Sequence, residues 1–101
     1  MQYHKAAKLS ELTEGKGKRV VINGIPIAFF LVSGKIYAIA DTCTHEHASL
    51  SEGEVQDCVV TCPRHGAQFE LETGRAITLP AYIDAKRFDV RVEGDIIYVG
   101  E

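Results

Sequence analysis

"RVVINGIPIAFFLVSGKIYAIA", residues 19–40, decides the fold class. "RVVI" meets Asn23-Gly24, and both of those positions accept a positive φ, so the pair marks a two-residue hairpin turn. "IPIAFFLV" then runs to a second turn signal, Ser33-Gly34, and "KIYAIA" follows it. Three short extended segments are thus folded back on one another within 22 residues. Pro26 cannot donate to a strand ladder, so it predicts an edge strand or the start of a strand.

The same grammar continues outward from this stretch. "CVVTC", "AQFELE" closed by Thr73-Gly74, "RFDVRV" closed by Glu93-Gly94-Asp95, and "IIYVG" all read as strands. In "RFDVRV", Phe88, Val90 and Val92 alternate with Arg87, Asp89 and Arg91, the period of a half-buried antiparallel strand. His4 reads as a strand residue. "LSEL" reads as a loop with one helical turn, and "GKGKR", residues 15–19, as a solvated loop. No segment keeps a helical period for three turns. The expectation is an all-β domain of about eight or nine short antiparallel strands, a sandwich or partly closed barrel. Residues 1–101 are expected to form one domain, without repeat, low-complexity tract or linker.

Length and composition set bounds. A chain of 101 residues buries roughly 60–68% of the surface it exposes when unfolded, which predicts one core rather than two. Apolar residues make up 46% and charged residues 25%, so the chain has the composition of a globular domain. A net charge of −3 and a pI near 5.8 argue against nucleic-acid binding, which needs a basic footprint. The apolar run 25–32 is too short to span a bilayer, which takes about 20 residues. The first residues carry no stretch resembling a signal peptide. The expected compartment is therefore the cytoplasm, with no membrane anchor. There, metal ligation is a better use of cysteine than a disulfide.

Two stretches carry the chemistry: "CTHEHASL", residues 43–50, and "CPRHGAQF", residues 62–69. Each pairs a cysteine with a histidine, as Cys43-x-His45 and Cys62-x-x-His65. Both fall between strands, at expected hairpin tips, where two loops at one end of a β frame can clasp something between them. Thiolate and neutral imidazole both bind iron and zinc. Zinc fingers usually gather two cysteines in one half of the site and two histidines in the other. Here each half holds one of each. Such halves could together give two cysteines to one metal and two histidines to a second, the segregation of a Rieske [2Fe–2S] centre. A zinc site built from the same four residues is the alternative. His47 stands two residues from His45 and is a second candidate for its role, or an exposed loop histidine. Cys58 is expected to be a buried, inert thiol.

The chain resembles the Rieske-type ferredoxins that serve aromatic-ring dioxygenases. The resemblance runs from "AFFLVSGKIYAIADTCTH" through "LSEGEV" and "CPRHGAQFELETG" to "FDVRVEGDIIYV". It implies a cluster-binding subdomain of two loops at one end of the β frame, holding one [2Fe–2S] cluster. Cys43 and Cys62 would hold the inner iron, and His45 and His65, rather than His47, the outer iron near the surface. It implies an electron carrier, not an enzyme, accepting electrons from a flavoprotein, NAD(P)H-dependent reductase and passing them to an oxygenase or related enzyme. A permanently bound small subunit of a larger oxidoreductase and a zinc-stabilised interaction module are the alternatives.

The Rieske subunits of quinol-oxidising respiratory complexes carry a loop-to-loop disulfide where this chain has Ala48 and Arg64. They carry hydroxyl donors to cluster sulfur where it has Ala67 and Phe69. The resemblance thus points to the low-potential branch of the family. Gly66 would let backbone approach the cluster, Pro63 would stiffen the second loop, and Leu79-Pro80-Ala81 would shield the cluster or form an ordinary turn.

Overall fold

The computed structural model describes residues 2–42, 48–64, 66–77 and 83–100. Nine strands appear among them. These are β1 (Tyr3–Lys8), β2 (Gly17–Ile22), β3 (Ile25–Val32), β4 (Lys35–Ala40), β5 (Glu54–Gln56), β6 (Val59–Thr61), β7 (Gln68–Glu70), β8 (Arg87–Glu93) and β9 (Ile96–Gly100). Single 3-10 turns cover Leu9–Glu11 and Leu50–Glu52. The expected all-β class is what the chain adopts. A six-stranded antiparallel sheet, ordered β1-β9-β8-β4-β3-β2, curls until its edge strands β1 and β2 approach each other. A three-stranded sheet, β5-β6-β7, packs beside it.

The Asn23-Gly24 turn is as expected, with φ of 51° and 78°, and it sets the β2–β3 register at Ile22 opposite Ile25. β3 is nearly all apolar because it is buried on both faces, between β2 and β4 in the sheet and between two cores. Ile27 and Phe29 enter a cluster inside the curled sheet with Ala7, Ala38, Phe88, Ile97 and Val99. Ala28 and Phe30 enter the other with Ile39, Leu50, Val60, Cys62, Phe69 and Leu71, which joins the small sheet to the large one. The expectation of one core is therefore corrected to two back-to-back clusters. A sheet one residue thick can serve both, because successive side chains point to opposite faces.

Pro26 is the second residue of β3, which bears out the start-of-strand alternative; the strand is an inner one. Three further details differ from the sequence reading. Gly17, Lys18 and Arg19 of the expected solvated loop belong to β2. The first cysteine–histidine stretch does not cap a hairpin. It follows β4 of the large sheet and precedes the turn that enters the small one, with Thr42 bridged to Ser49 across its base. Cys58 does not begin a strand: Asp57 and Cys58 form the β5–β6 turn, both at positive φ, and Cys58 is only half-buried. Its thiol shares a hydrogen bond with the Tyr37 hydroxyl, and that bond, with desolvation and the nearby Cys58 and Glu72 charges, raises the Tyr37 pKa above the ordinary phenol value.

Candidate metal centre

Two necks lead into the candidate site. The first is built on Asp41, the residue after β4, which is buried. Its backbone N–H donates to the Pro26 carbonyl at 3.0 Å. Pro26 has no N–H to return, so β3–β4 pairing ends there and the chain is free to leave the sheet. The Asp41 carbonyl instead accepts the Leu50 N–H at 2.6 Å. One carboxylate oxygen accepts the Ser51 N–H at 2.8 Å, and the other meets Arg19 Nε at 3.3 Å. Together with the Thr42–Ser49 bridge, these bonds hold both ends of the loop that carries residues 43–47. Cys43, His45, Glu46 and His47 themselves lie outside the described residues, as does His65.

The second neck is the β6–β7 hairpin, with Thr61 opposite Gln68. The loop beyond it closes through the Cys62 N–H donating to the Ala67 carbonyl at 2.7 Å, and the Gly66 N–H to the Cys62 carbonyl at 3.2 Å. Gly66 stands at φ 76°, which a glycine adopts without strain, and among the described residues none but its chain neighbours lies within 4 Å of where its Cβ would be. Here φ is the reason for glycine. Cys62 is only 2% exposed, is not in a disulfide, and belongs to the core cluster that joins the two sheets. It borders a cleft of about 410 Å³ lined by Glu52, Glu54, Thr61, Pro63 and Gly66. A larger groove of about 550 Å³, lined by residues 15–17 and 51–56, holds no cysteine or histidine among its described lining.

Of the four candidate ligands, then, Cys62 is described. Among the described residues no group of three His, Cys, Asp or Glu side chains could hold a metal. What the structure offers fits the inner side of a cluster: an unoxidised thiol at a hairpin tip, backed by apolar core and fronted by a cleft. Ala67 and Phe69, read as the positions lacking hydroxyl donors, are both fully buried, while Arg64 is exposed and Ala48 half-buried. The third loop, with Leu79-Pro80-Ala81, lies outside the described residues. Its feet are fixed by Ala76 N–H to Asp84 Oδ1 at 2.9 Å and Ala85 N–H to the Gly74 carbonyl at 2.7 Å.

Sequence reading missed the residues that support the necks. Asp41 follows an apolar strand without any motif of its own, and its burial depends on Arg19 and Ser51 arriving from elsewhere in the chain. Gly53 was visible only as part of "LSEGEV". Its φ is −79°, so nothing about the local backbone demands glycine there.

Comparison with known proteins agrees with this architecture. The family model for the Rieske [2Fe-2S] domain matches residues 2–89. The 3-phenylpropionate/cinnamic acid dioxygenase ferredoxin subunit of Escherichia coli (strain K12) is 41% identical over 93% of this chain and 89% of its own length. The ferredoxin of carbazole 1,9a-dioxygenase from Nocardioides aromaticivorans IC177 superposes with a TM-score of 0.93 at 26% identity, covering 99% of this chain and 98% of that one. A chain in the solved complex of reduced oxygenase and oxidized ferredoxin in carbazole 1,9a-dioxygenase gives 0.90 at 36% identity, covering 97% of this chain and 92% of that one. No helix among the described residues is long and apolar enough to cross a membrane. This chain belongs to the Rieske [2Fe–2S] family and is one of its ferredoxins, an electron carrier with one cluster rather than a catalyst.

Proposed function

We propose that this ferredoxin works in the cytoplasm between a flavoprotein, NAD(P)H-dependent reductase and a terminal oxygenase, taking one electron from the first and delivering it to the second. When bound, the cluster stores that electron. The residues supply the rest: Cys43 and Cys62 anchor the inner iron, and His45 and His65 hold the outer iron where a partner can approach. The observation that carries this assignment is Cys62, a free thiol buried at the tip of the β6–β7 hairpin with a cleft before it. With the thiolates deep and the imidazoles outward, as the family resemblance implies, the histidine edges would offer the electron a short exit. Two neutral imidazoles in place of thiolates also remove negative charge and ease reduction.

Alanine at each of Cys43, His45, Cys62 and His65 should abolish the visible absorption of the cluster and lower bound iron and sulfide to near zero. Cys58→Ala and His47→Ala should keep all three. A Cys43→Ala protein that retains its cluster overturns the ligand assignment. Zinc in place of iron and sulfide in the purified protein would restore the interaction-module reading. Rapid reduction of the free, monomeric protein by a reductase supports a mobile carrier. Co-purification in a fixed complex with a larger enzyme supports a bound subunit instead.

A further inference from the structure

Two glycines near the site have ordinary backbone angles and no room for a side chain. A Cβ on Gly53 would collide with the Thr61 carbonyl oxygen and stand 3.1 Å from both the Thr61 carbonyl carbon and Val60 Cγ2. A Cβ on Gly17 would stand 2.5 Å from the Ser51 oxygen and 2.7 Å from the Ser51 Cα and from Phe30 Cε1. Distances under 3.0 Å are closer than carbon tolerates, so backbone would have to move. Both close approaches involve one element, the 3-10 turn Leu50–Glu52. Gly17 brings β2 against Ser51, and Gly53, the residue that ends the turn, brings it against Thr61.

That turn connects the two necks. On one side, its Leu50 and Ser51 N–H groups are bound to Asp41, two residues before Cys43. On the other, Gly53 touches Thr61, the residue before Cys62. Leu50 is fully buried beneath it in the same core cluster as Cys62. The turn is therefore tightly held, by its close packing against Gly17 and Thr61 and by its bonds to Asp41.

We propose that Gly53 is a positioning residue that sets the separation of the two cysteine-bearing loops, and so the span that the cluster must bridge. The proposal rests on Cys43 and Cys62 both holding the cluster. A side chain at 53 cannot fit against the Thr61 carbonyl, so the turn and Thr61, with Cys62 behind it, must shift relative to each other and change that span. Metal–thiolate bonds tolerate little change in length, so the strain falls on the cluster.

The test uses the cluster-loaded protein. Gly53→Ala should lose its visible absorption about tenfold faster than the wild type under chelator challenge, the loss that displaced supports of a metal site typically cause. The electron paramagnetic resonance g values of its reduced form should also shift. Gly34→Ala is the control. Gly34 sits in the β3–β4 turn at φ 80° with open space around it, so alanine there strains the fold without touching the loops. Its g values and rate of cluster loss should match the wild type. If Gly53→Ala does not fold, Gly17→Ala decides, because it pushes the same turn through Ser51. Its loss of cluster should be accelerated in the same sense. Wild-type g values and wild-type cluster lifetime in folded Gly53→Ala, or in Gly17→Ala where that variant must decide, overturn the proposal. Failure of the ligand assignment shows separately, as a Cys43→Ala protein that keeps its cluster whatever stands at position 53.

Discussion

Ala67 shows what one missing atom does. It is fully buried, one residue past Gly66 in the second loop, and its carbonyl accepts the Cys62 N–H. Its methyl group cannot donate a hydrogen bond to a cluster that gains negative charge on reduction. Ala67→Ser supplies a hydroxyl there and should raise the reduction potential. One net hydrogen bond of about 1 kcal/mol corresponds to roughly 40 mV in a one-electron couple. Burying that hydroxyl where it finds no partner would cost about 1–3 kcal/mol of stability instead, so potential and melting temperature are to be read together. Protein-film voltammetry makes the measurement. An unchanged or lower potential in a cluster-loaded, stable Ala67→Ser protein would show that the alanine does not keep the potential low.

At the scale of elements, the first neck depends on one residue, Asp41, on which two strands and a turn converge. Asp41 is bound to Ser51 of the 3-10 turn and Arg19 of β2, and its backbone pairs with Pro26 of β3. The Arg19 side chain is half exposed, so solvent weakens its pairing, and Arg19→Ala should cost less than about 1 kcal/mol. Asp41→Ala leaves the Ser51 N–H without its acceptor in a part-buried place, a loss of about 1–3 kcal/mol. For a chain of this size each 1 kcal/mol lowers the melting temperature by about 4–8 °C. Asp41→Asn, which keeps an acceptor oxygen, should fall between. Circular dichroism melts of the three variants give the order, and an Asp41→Ala melt no lower than that of Arg19→Ala would mean the carboxylate does not clasp the loop.

Across the whole molecule, charge is divided between the two sheets. The described residues 48–77 carry five carboxylates (Glu52, Glu54, Asp57, Glu70 and Glu72) against two guanidinium groups, Arg64 and Arg75. The described residues of the large sheet and its connections, 2–42 and 83–100, carry nine Lys and Arg against seven Asp and Glu. The cluster end is thus the negative end, and Glu52 and Glu54 are exposed beside the Cys62 cleft. An electron-transfer partner with a basic patch would be turned toward that end before contact. The doubly reversed Glu52→Lys/Glu54→Lys protein should associate with the reductase proposed as its electron donor about tenfold more slowly at low salt, at an unchanged potential, and the difference should shrink as salt screens the charges. Lys86→Glu, in the connection before β8, should leave the rate nearly unaltered. Stopped-flow reduction at several ionic strengths measures this, and equal rates at low salt would rule out steering by these carboxylates.

The sequence alone was enough for whatever depends on neighbours along the chain. Asn23-Gly24 fixes a turn because both residues accept positive φ, and that turn sets the β2–β3 register. The alternation in "RFDVRV" correctly put Phe88 and Val90 on the core face of β8, but Val92, next on that face, is 42% exposed near the strand's end. The spacing of Cys43, His45, Cys62 and His65 suggested a Rieske centre and left zinc open; the family match bears out the centre, and the four ligands stand as proposed. The sequence was less informative wherever burial on both sides removed the alternation. "IPIAFFLV" did not disclose that odd and even residues enter two different cores, since a strand buried on both faces has no polar side to read. Cys58 looked like the start of a strand because nothing in its own side chain marks a turn at φ 63°. Only the tertiary structure decided why Asp41 is buried, why the first loop joins two sheets instead of capping a hairpin, and why positions 17 and 53 are glycine. Each of these depends on atoms from distant parts of the chain meeting in a space too small for one more carbon, or on a carboxylate meeting its donors, and such distances are set by packing rather than by the order of residues.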